Sequence, residues 1–264
     1  MPAIRVLVSG AFGRMGRYVV NAVDEAKDLE LGGAVDPGGV GHPVAEILGK
    51  PSEMRISGHL VGALEDMQPD VMVDFTVPSV VMTNVEAALA RKVACVVGTT
   101  GFSATDLQVV EAMCRHTGTP CVIAPNFSIG ANFMMRFAAE AAKAFEYAEI
   151  IERHHENKKY SPSGTAVKTA QMMAEARREG FATVATEVDK APGSRGGTVD
   201  GIQVHAIRTQ GYVADQEVIL GGPGERLVIS HVSTTRECFM PGVLLAVRKV
   251  RACDGLVRGL EHLL

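Results

Sequence analysis

The sequence predicts an α/β protein, a doubly wound parallel sheet joined to a second, α+β domain on a mixed, largely open sheet. Three observations carry this. Short, uninterrupted apolar runs alternate with helical stretches through the first half, as strands buried on both faces require. A glycine-rich turn follows the first run. After residue 128 the alternation gives way to a long helix and then to extended segments divided by glycine turns.

Taken in order, residues 4–8 read as a buried strand and 10–16 as the glycine turn. The helix behind that turn runs to about residue 27. Residues 31–35 form a second strand that ends at Asp36. Strands at 71–75 and 94–97 bracket a helix at about 79–91. Residues 103–116 read as a helix capped by Ser103, and 121–124 as the next strand. Beyond Asn126 the reading is a helix over 129–145, a strand over 148–151 and a helix over 166–178. Strands follow at 202–209, 213–220 and 227–233, with turns at Gly211 and at Gly221-Gly222-Pro223-Gly224. Pro241-Gly242 opens a final helix, 243–251. Residues 1–128 with 240–264 are therefore expected to form one domain and 129–239 the other.

An apolar fraction of 47% supports a sizeable core, and a net charge of -4 gives no bulk attraction to nucleic acid or anionic membrane. No apolar run is long enough to span a bilayer, and the N-terminus enters a strand without a signal-peptide pattern. The five cysteines show no CxxC pair and no metal-like spacing, which fits a reducing cytosol and a cytoplasmic location.

The turn Gly10-Ala11-Phe12-Gly13-Arg14-Met15-Gly16 spaces its glycines GxxGxxG rather than GxGxxG. Its demands are those of a Rossmann-type dinucleotide loop: a tight turn, close backbone approach to a pyrophosphate, and tight helix-strand packing. Asp36, twenty residues beyond Gly16, is placed to accept hydrogen bonds from the adenosine ribose. Pro37-Gly38-Gly39 follows with no adjacent cation for a 2′-phosphate. That favours NADH over NADPH, with Arg14 as an alternative phosphate contact. Gly98, Thr99 and Thr100, and Ala124, Pro125, Asn126 and Phe127, follow strands at the end where such sheets bind ligands.

The stretch from Glu152 to Ala166 holds His154, His155, Lys158, Lys159 and a Ser163-Gly164-Thr165 turn that feeds a helix. A cationic loop at a helix N-terminus suits a small carboxylate, and imidazole or ammonium groups can deliver a proton. Adjacent histidines on a strand point to opposite faces, so one of the pair is expected to face substrate. His205 and His231 read as wall or interface residues. A metal site is not expected, because the paired histidines lack further ligands at a usual spacing.

These pieces resemble the 4-hydroxy-tetrahydrodipicolinate reductase (dihydrodipicolinate reductase) family of lysine and diaminopimelate biosynthesis. The resemblance rests on GAFGRMG (10–16), VDFT (73–76), VVGTTGF (96–102), APNFSIGAN (124–132), EIIERHHENK (149–158) and PSGTA (162–166). The runs 205–225 and 236–248 extend it along essentially the whole chain. It implies reduction of a cyclic dicarboxylate by NADH or NADPH, with His154 as the acid/base group and Lys158 as the proton-donating lysine. It further implies carboxylate contacts at His155, Ser163, Gly164 and Thr165, cofactor contacts at 10–15, 36, 98–100 and 124–127, and a homotetramer formed through the second domain. Where the family usually reads Asp-Ala before Pro-Ser-Gly-Thr, this chain has Tyr160-Ser161. Two other readings compete: another Rossmann dehydrogenase of the aspartate or homoserine type, and a catalytically silent dinucleotide sensor.

Overall fold

A computed structural model describes residues 2–188 and 190–264. Two compact units divide the chain, Met1–Ile129 with Phe239–Leu264, and Gly130–Cys238.

The first unit carries β1 (Ile4–Ser9), α1 (Arg14–Glu25), β2 (Leu29–Val35), α2 (Ala45–Leu48), α3 (Leu60–Met67) and β3 (Val71–Asp74). It continues with α4 (Pro78–Ala90), β4 (Ala94–Val97), α5 (Ala104–Thr117) and β5 (Cys121–Ile123). The returning segment adds α8 (Met240–Val250) and β11 (Leu256–Arg258). Six parallel strands run in the order β11-β5-β4-β3-β1-β2. Strand order reverses at β1, which places the end of β1 at the crevice where such sheets take ligands.

Alternate residues of each strand enter opposite cores. Val6 and Val8 of β1 and Val71 and Val73 of β3 pack with Val19, Val20 and Val23 of α1 and with Val243, Val247 and Val250 of α8. Leu7 and Met72 pack instead with Val85 and Leu89 of α4 and Val110 of α5. Each such side chain withdrawn from water stabilises the fold by about 1.5–3 kcal/mol, which is why both faces of these strands are apolar. Cys95, Cys114 and Cys121 are unbridged and fill this second core as small apolar groups.

The second unit contains α6 (Ile129–Ala142), β6 (Tyr147–His154), α7 (Gly164–Arg177), β7 (Gly197–Val199), β8 (Ile202–Arg208), β9 (Ala214–Gly222) and β10 (Glu225–His231). Its five strands run β10-β9-β6-β8-β7. β6 and β8 are parallel and the other pairs antiparallel, so the sheet is mixed and open at both edges. Ala138 and Ala142 of α6 and Ala166, Ala170 and Met173 of α7 pack on Ile150, Ile202, Val204, Val218 and Leu220. Even-numbered residues of β6 thus face the helices, and odd-numbered ones the opposite side.

Both sheets have the expected character, a parallel first and a mixed second. The sequence reading did not contain α2, α3, β7 or β11. These run three to eight residues, too short for periodicity to register. The strand expected over 148–151 extends to His154 because β6 pairs on both sides, His154 with Arg208 of β8 and with Ala214 of β9. His154 is therefore the last strand residue, and His155 opens the following turn. The expected opposition of two histidines within one strand does not arise.

Candidate active site

The turn after β1 is constrained by contact more than by composition. Gly10 has φ +80, a conformation open to glycine, and a Cβ there would stand 2.5 Å from the Phe75 carbonyl oxygen. At Gly16 a Cβ would stand 1.9 Å from the Gly10 carbonyl oxygen. Gly13 is the N-cap of α1 and supplies no side-chain cap. The first amides of α1, at the positive end of its dipole, thus face the turn without a side-chain cap oxygen among them.

Asp36 lies against this turn. Its Oδ2 accepts from Phe12 N at 3.0 Å and its Oδ1 from Gly38 N at 2.8 Å. Each carboxylate oxygen retains a further lone pair for a ligand. The Phe12 ring meets the His42 ring at 4.9 Å, tilted by 31°, and carries the Arg17 guanidinium at 4.0 Å. Two potential cations therefore collect on Phe12, Arg17 from α1 and His42 from just beyond Pro37-Gly38-Gly39. Arg14 is exposed and Met15 half-buried.

The turns after β3 and β4 are joined by a buried acid that the sequence did not single out. Asp74 is 0% exposed. Its Oδ1 accepts from the Thr76 and Thr99 hydroxyls, both at 2.7 Å, and its Oδ2 from Asn84 Nδ2 at 2.9 Å. The Thr99 hydroxyl in turn accepts from Thr76 N at 2.8 Å. Thr99 is thereby committed to the wall, while Thr100 is exposed. Gly98 is needed because a Cβ would meet the Phe75 ring at 2.1 Å. In the turn after β5, Ala124 and the Phe127 ring are buried in the first core, and Pro125 is exposed. Asn126 Oδ1 accepts from Ser128 N at 2.8 Å.

In the second unit, the end of β6 and the start of α7 form one polar cluster. Glu152 and His154, two apart on a strand, share the helix-facing side. Glu152 is 0% exposed, and its Oε2 lies 2.5 Å from His154 Nδ1. Arg208 closes a bidentate fork on Glu152 at 2.7 and 2.8 Å and donates to the Tyr160 carbonyl at 2.9 Å. Ser163 N donates to Glu152 Oε1 at 3.0 Å, while Ser163 Oγ caps α7 by accepting from Ala166 N at 3.1 Å. Burial pushes the Glu152 carboxyl up, but hydrogen bonds from His154 and Arg208 outweigh it and hold the group below its ordinary value.

Lys158 N donates to the His155 carbonyl at 3.1 Å, a turn that keeps His154, His155 and Lys158 together. The Lys158 ammonium sits 4.1 Å from the centre of the Tyr160 ring, a cation–π contact. Tyr160-Ser161 therefore leaves the loop anchored: its backbone is tied down by Arg208 and Glu152, and the tyrosine ring gives Lys158 a seat. Partial burial and the charge of Arg236 lower the His155 imidazole below its ordinary value, with Glu156 opposing. Gly164 and Thr165 supply the first amides of α7.

His205 lies elsewhere, with Nε2 2.9 Å from Glu149 on the sheet's other side. Among the described residues no group of three His, Cys, Asp or Glu is placed to hold a metal, and no helix is long and apolar enough to cross a membrane. Glu152, Arg208 and Asp74 are the site-forming residues missing from the sequence reading. A charged residue inside an otherwise apolar strand run was the available signal for Asp74; β6, with Glu149, Arg153 and His154 around Glu152, offered none.

Residues 4–127 match the family profile "Dihydrodipicolinate reductase, N-terminus", and residues 130–264 match "Dihydrodipicolinate reductase, C-terminus". A 4-hydroxy-tetrahydrodipicolinate reductase of Desulfitobacterium hafniense is 46% identical over 266 residues, covering 100% of both chains. One from Moorella thermoacetica is 46% identical, covering 99% of this chain and 98% of that one. Among solved structures, a dipicolinate-bound dihydrodipicolinate reductase from Paenisporosarcina sp. TG-14 aligns with TM-score 0.88 and 37% identity, over 99% of this chain and 100% of that chain.

Proposed function

The chain belongs to the dihydrodipicolinate reductase family, NAD(P)H-dependent oxidoreductases of lysine and diaminopimelate biosynthesis. On that premise we propose that it reduces 4-hydroxy-tetrahydrodipicolinate to tetrahydrodipicolinate, with the proton supplied from the loop that holds His154 and Lys158. The observation that carries this reading is the convergence of His154 and the α7 N-terminus on one buried carboxylate, Glu152.

The first unit's residues fit a dinucleotide. The turn has no room for a side chain at Gly10 or Gly16, and the α1 N-terminus beyond it suits a pyrophosphate. Gly10 to Met15 would hold the phosphates, Asp36 the adenosine ribose, and the turns at Gly98–Thr100 and Ala124–Phe127 the nicotinamide half. Phe127 would contribute backbone only, since its ring is in the core. NADH is the proposed member of the pair, because the Asp36 carboxylate repels a 2′-phosphate. When bound, the cofactor supplies the hydride.

On the substrate side, the amides of Gly164 and Thr165 hold one ring carboxylate at the positive end of α7. Lys158 and His155 take the other carboxylate, Lys158 by a charge-assisted hydrogen bond. His154, with its Nδ1 turned to Glu152, presents Nε2 to the ring carbon that is protonated. Dipicolinate, the ligand of the related Paenisporosarcina structure, is a flat dicarboxylate, the charge pattern this loop is proposed to hold. A homotetramer formed through the second unit's sheet is part of the same proposal. The side of that sheet away from the helices carries exposed Ile207 and Val228 beside the Glu149–His205 pair.

The test follows reduced-nicotinamide absorbance with substrate generated by its upstream synthase, using NADH and NADPH in parallel. Turnover that falls in His154→Ala and Lys158→Ala while NADH binding persists supports the reading. Tight NADH binding with no turnover in the native chain would refute it in favour of a silent sensor.

A further inference from the structure

Glu152 contacts two parts of the proposed substrate site, and we propose that it is the positioning residue of the reduction. It fixes which nitrogen of His154 carries the proton and, through the Ser163 amide, where α7 begins. This rests on the reading of His154 as the acid/base group.

The geometry leaves little freedom. Glu152 is 0% exposed, and its two oxygens take four hydrogen bonds: Ser163 N and Arg208 Nη2 on Oε1, His154 Nδ1 and Arg208 Nη1 on Oε2. The Arg208 fork keeps the carboxylate ionised, and an ionised carboxylate only accepts hydrogen bonds. The hydrogen between Glu152 and His154 must then sit on Nδ1. Nε2 is left as the nitrogen that receives a proton from solvent and gives it to the substrate carbon. Register assists: His154 is the direct cross-strand partner of Arg208, so His154, Arg208 and Glu152 project on one face.

The other charged or titratable groups around His154 do not compete for Nδ1. His155 and Lys158 come from the turn, with Lys158 seated on Tyr160. Arg236 acts on His155. Arg208 on β8 is taken up by Glu152 and by the Ile207 and Tyr160 carbonyls. The same carboxylate that orients the proposed acid also holds the N-cap residue of the helix that cradles a substrate carboxylate. Movement of Glu152 would therefore displace both groups together.

The experiment compares Glu152→Gln, His154→Ala and the double variant in steady-state turnover and NADH binding. It adds 15N spectra of the native enzyme labelled at histidine. Glu152→Gln is expected to lower kcat about 10²-fold, the scale of an ångström-sized misplacement, with NADH affinity unchanged. In the His154→Ala background the same substitution is expected to lower kcat by much less than it does alone, the residual loss being that of the displaced α7 start. The native His154 ring is expected to show a protonated Nδ1. Independent, multiplying losses in the double variant, or a neutral ring protonated on Nε2 in the native enzyme, would overturn the proposal. If Glu152→Gln fails to fold, the native spectrum still decides. His154→Ala with native kcat would sink the underlying reading of His154; that outcome is distinguishable because the Nδ1 signature would persist.

Discussion

Gly16→Ala sets two effects of opposite sign against each other. Gly16 lies inside α1 with an ordinary helical φ, so alanine should gain about 1 kcal/mol in helix propensity. The new Cβ, however, would lie 1.9 Å from the Gly10 carbonyl oxygen, 2.6 Å from Gly10 C and 2.8 Å from Ala11 Cα, all backbone. Relief to the 3.0 Å below which real Cβ contacts essentially never fall requires an opening of about 1.1 Å. No side chain can rotate away, so the glycine turn itself must move. Overpacking of this kind typically costs about 1–3 kcal/mol and occasionally more, and an opening forced on backbone belongs at the upper end, about 3 kcal/mol, so destabilisation wins by about 2 kcal/mol. At about 2–4 °C per kcal/mol for a protein of this size, the melting temperature should fall several degrees. NADH affinity should fall with it, because the displaced segment is the proposed pyrophosphate cradle. Gly164→Ala is the control: its Cβ meets nothing within 4 Å, so stability should stay within about 0.5 kcal/mol. Differential scanning calorimetry and NADH titration on both variants make the comparison. An unchanged melting temperature and NADH affinity in Gly16→Ala would refute the claim that this contact, rather than composition, requires glycine.

Arg208→Met should leave the buried Glu152 carboxylate with only the His154 and Ser163 donors, at a cost of about 3–5 kcal/mol in urea unfolding. Because its partners hold Glu152 below its ordinary 4.5, their stabilisation is complete above that pH and is lost as pH falls through the lowered value. The native protein should therefore lose this stability in acid, and Arg208→Met should flatten that limb. Tyr160→Ala removes a cation–π contact of about 0.5–1 kcal/mol at this exposed position. It should free Lys158 and tighten dipicolinate by about 2–5-fold in calorimetry; weaker binding would mean the ring helps to present the ammonium. His155 should titrate below 6.5 by proton NMR, and Arg236→Ala should raise its midpoint, though not fully, since burial, the larger cause, remains.

Much of this molecule is legible one segment at a time. The continuous apolar runs at β1, β3, β4 and β5 identify strands buried on both faces. The spacing of Gly10, Gly13 and Gly16 marks a turn into a helix, and the Ser163-Gly164-Thr165 turn marks the approach to α7. Each of these depends on neighbours within a few residues, where period and turn chemistry act directly. Two of the three partners of Glu152 do not: Ser163 and Arg208 are 11 and 56 residues away. Asp74 likewise meets Thr99 25 residues on. β11 becomes a strand only because β5 offers it an edge.

Local pattern specified a parallel α/β sheet with a glycine turn after its first strand, and a cationic loop leading into a helix. Tertiary structure alone decided that Asp74 locks Thr99 into the wall and that one buried glutamate brings Arg208 and Ser163 to His154. The physical reason is that local pattern governs which element forms, whereas strand register and the burial of charge govern which distant groups must meet. A carboxylate taken out of water is tolerated only where donors from other strands and helices converge on it.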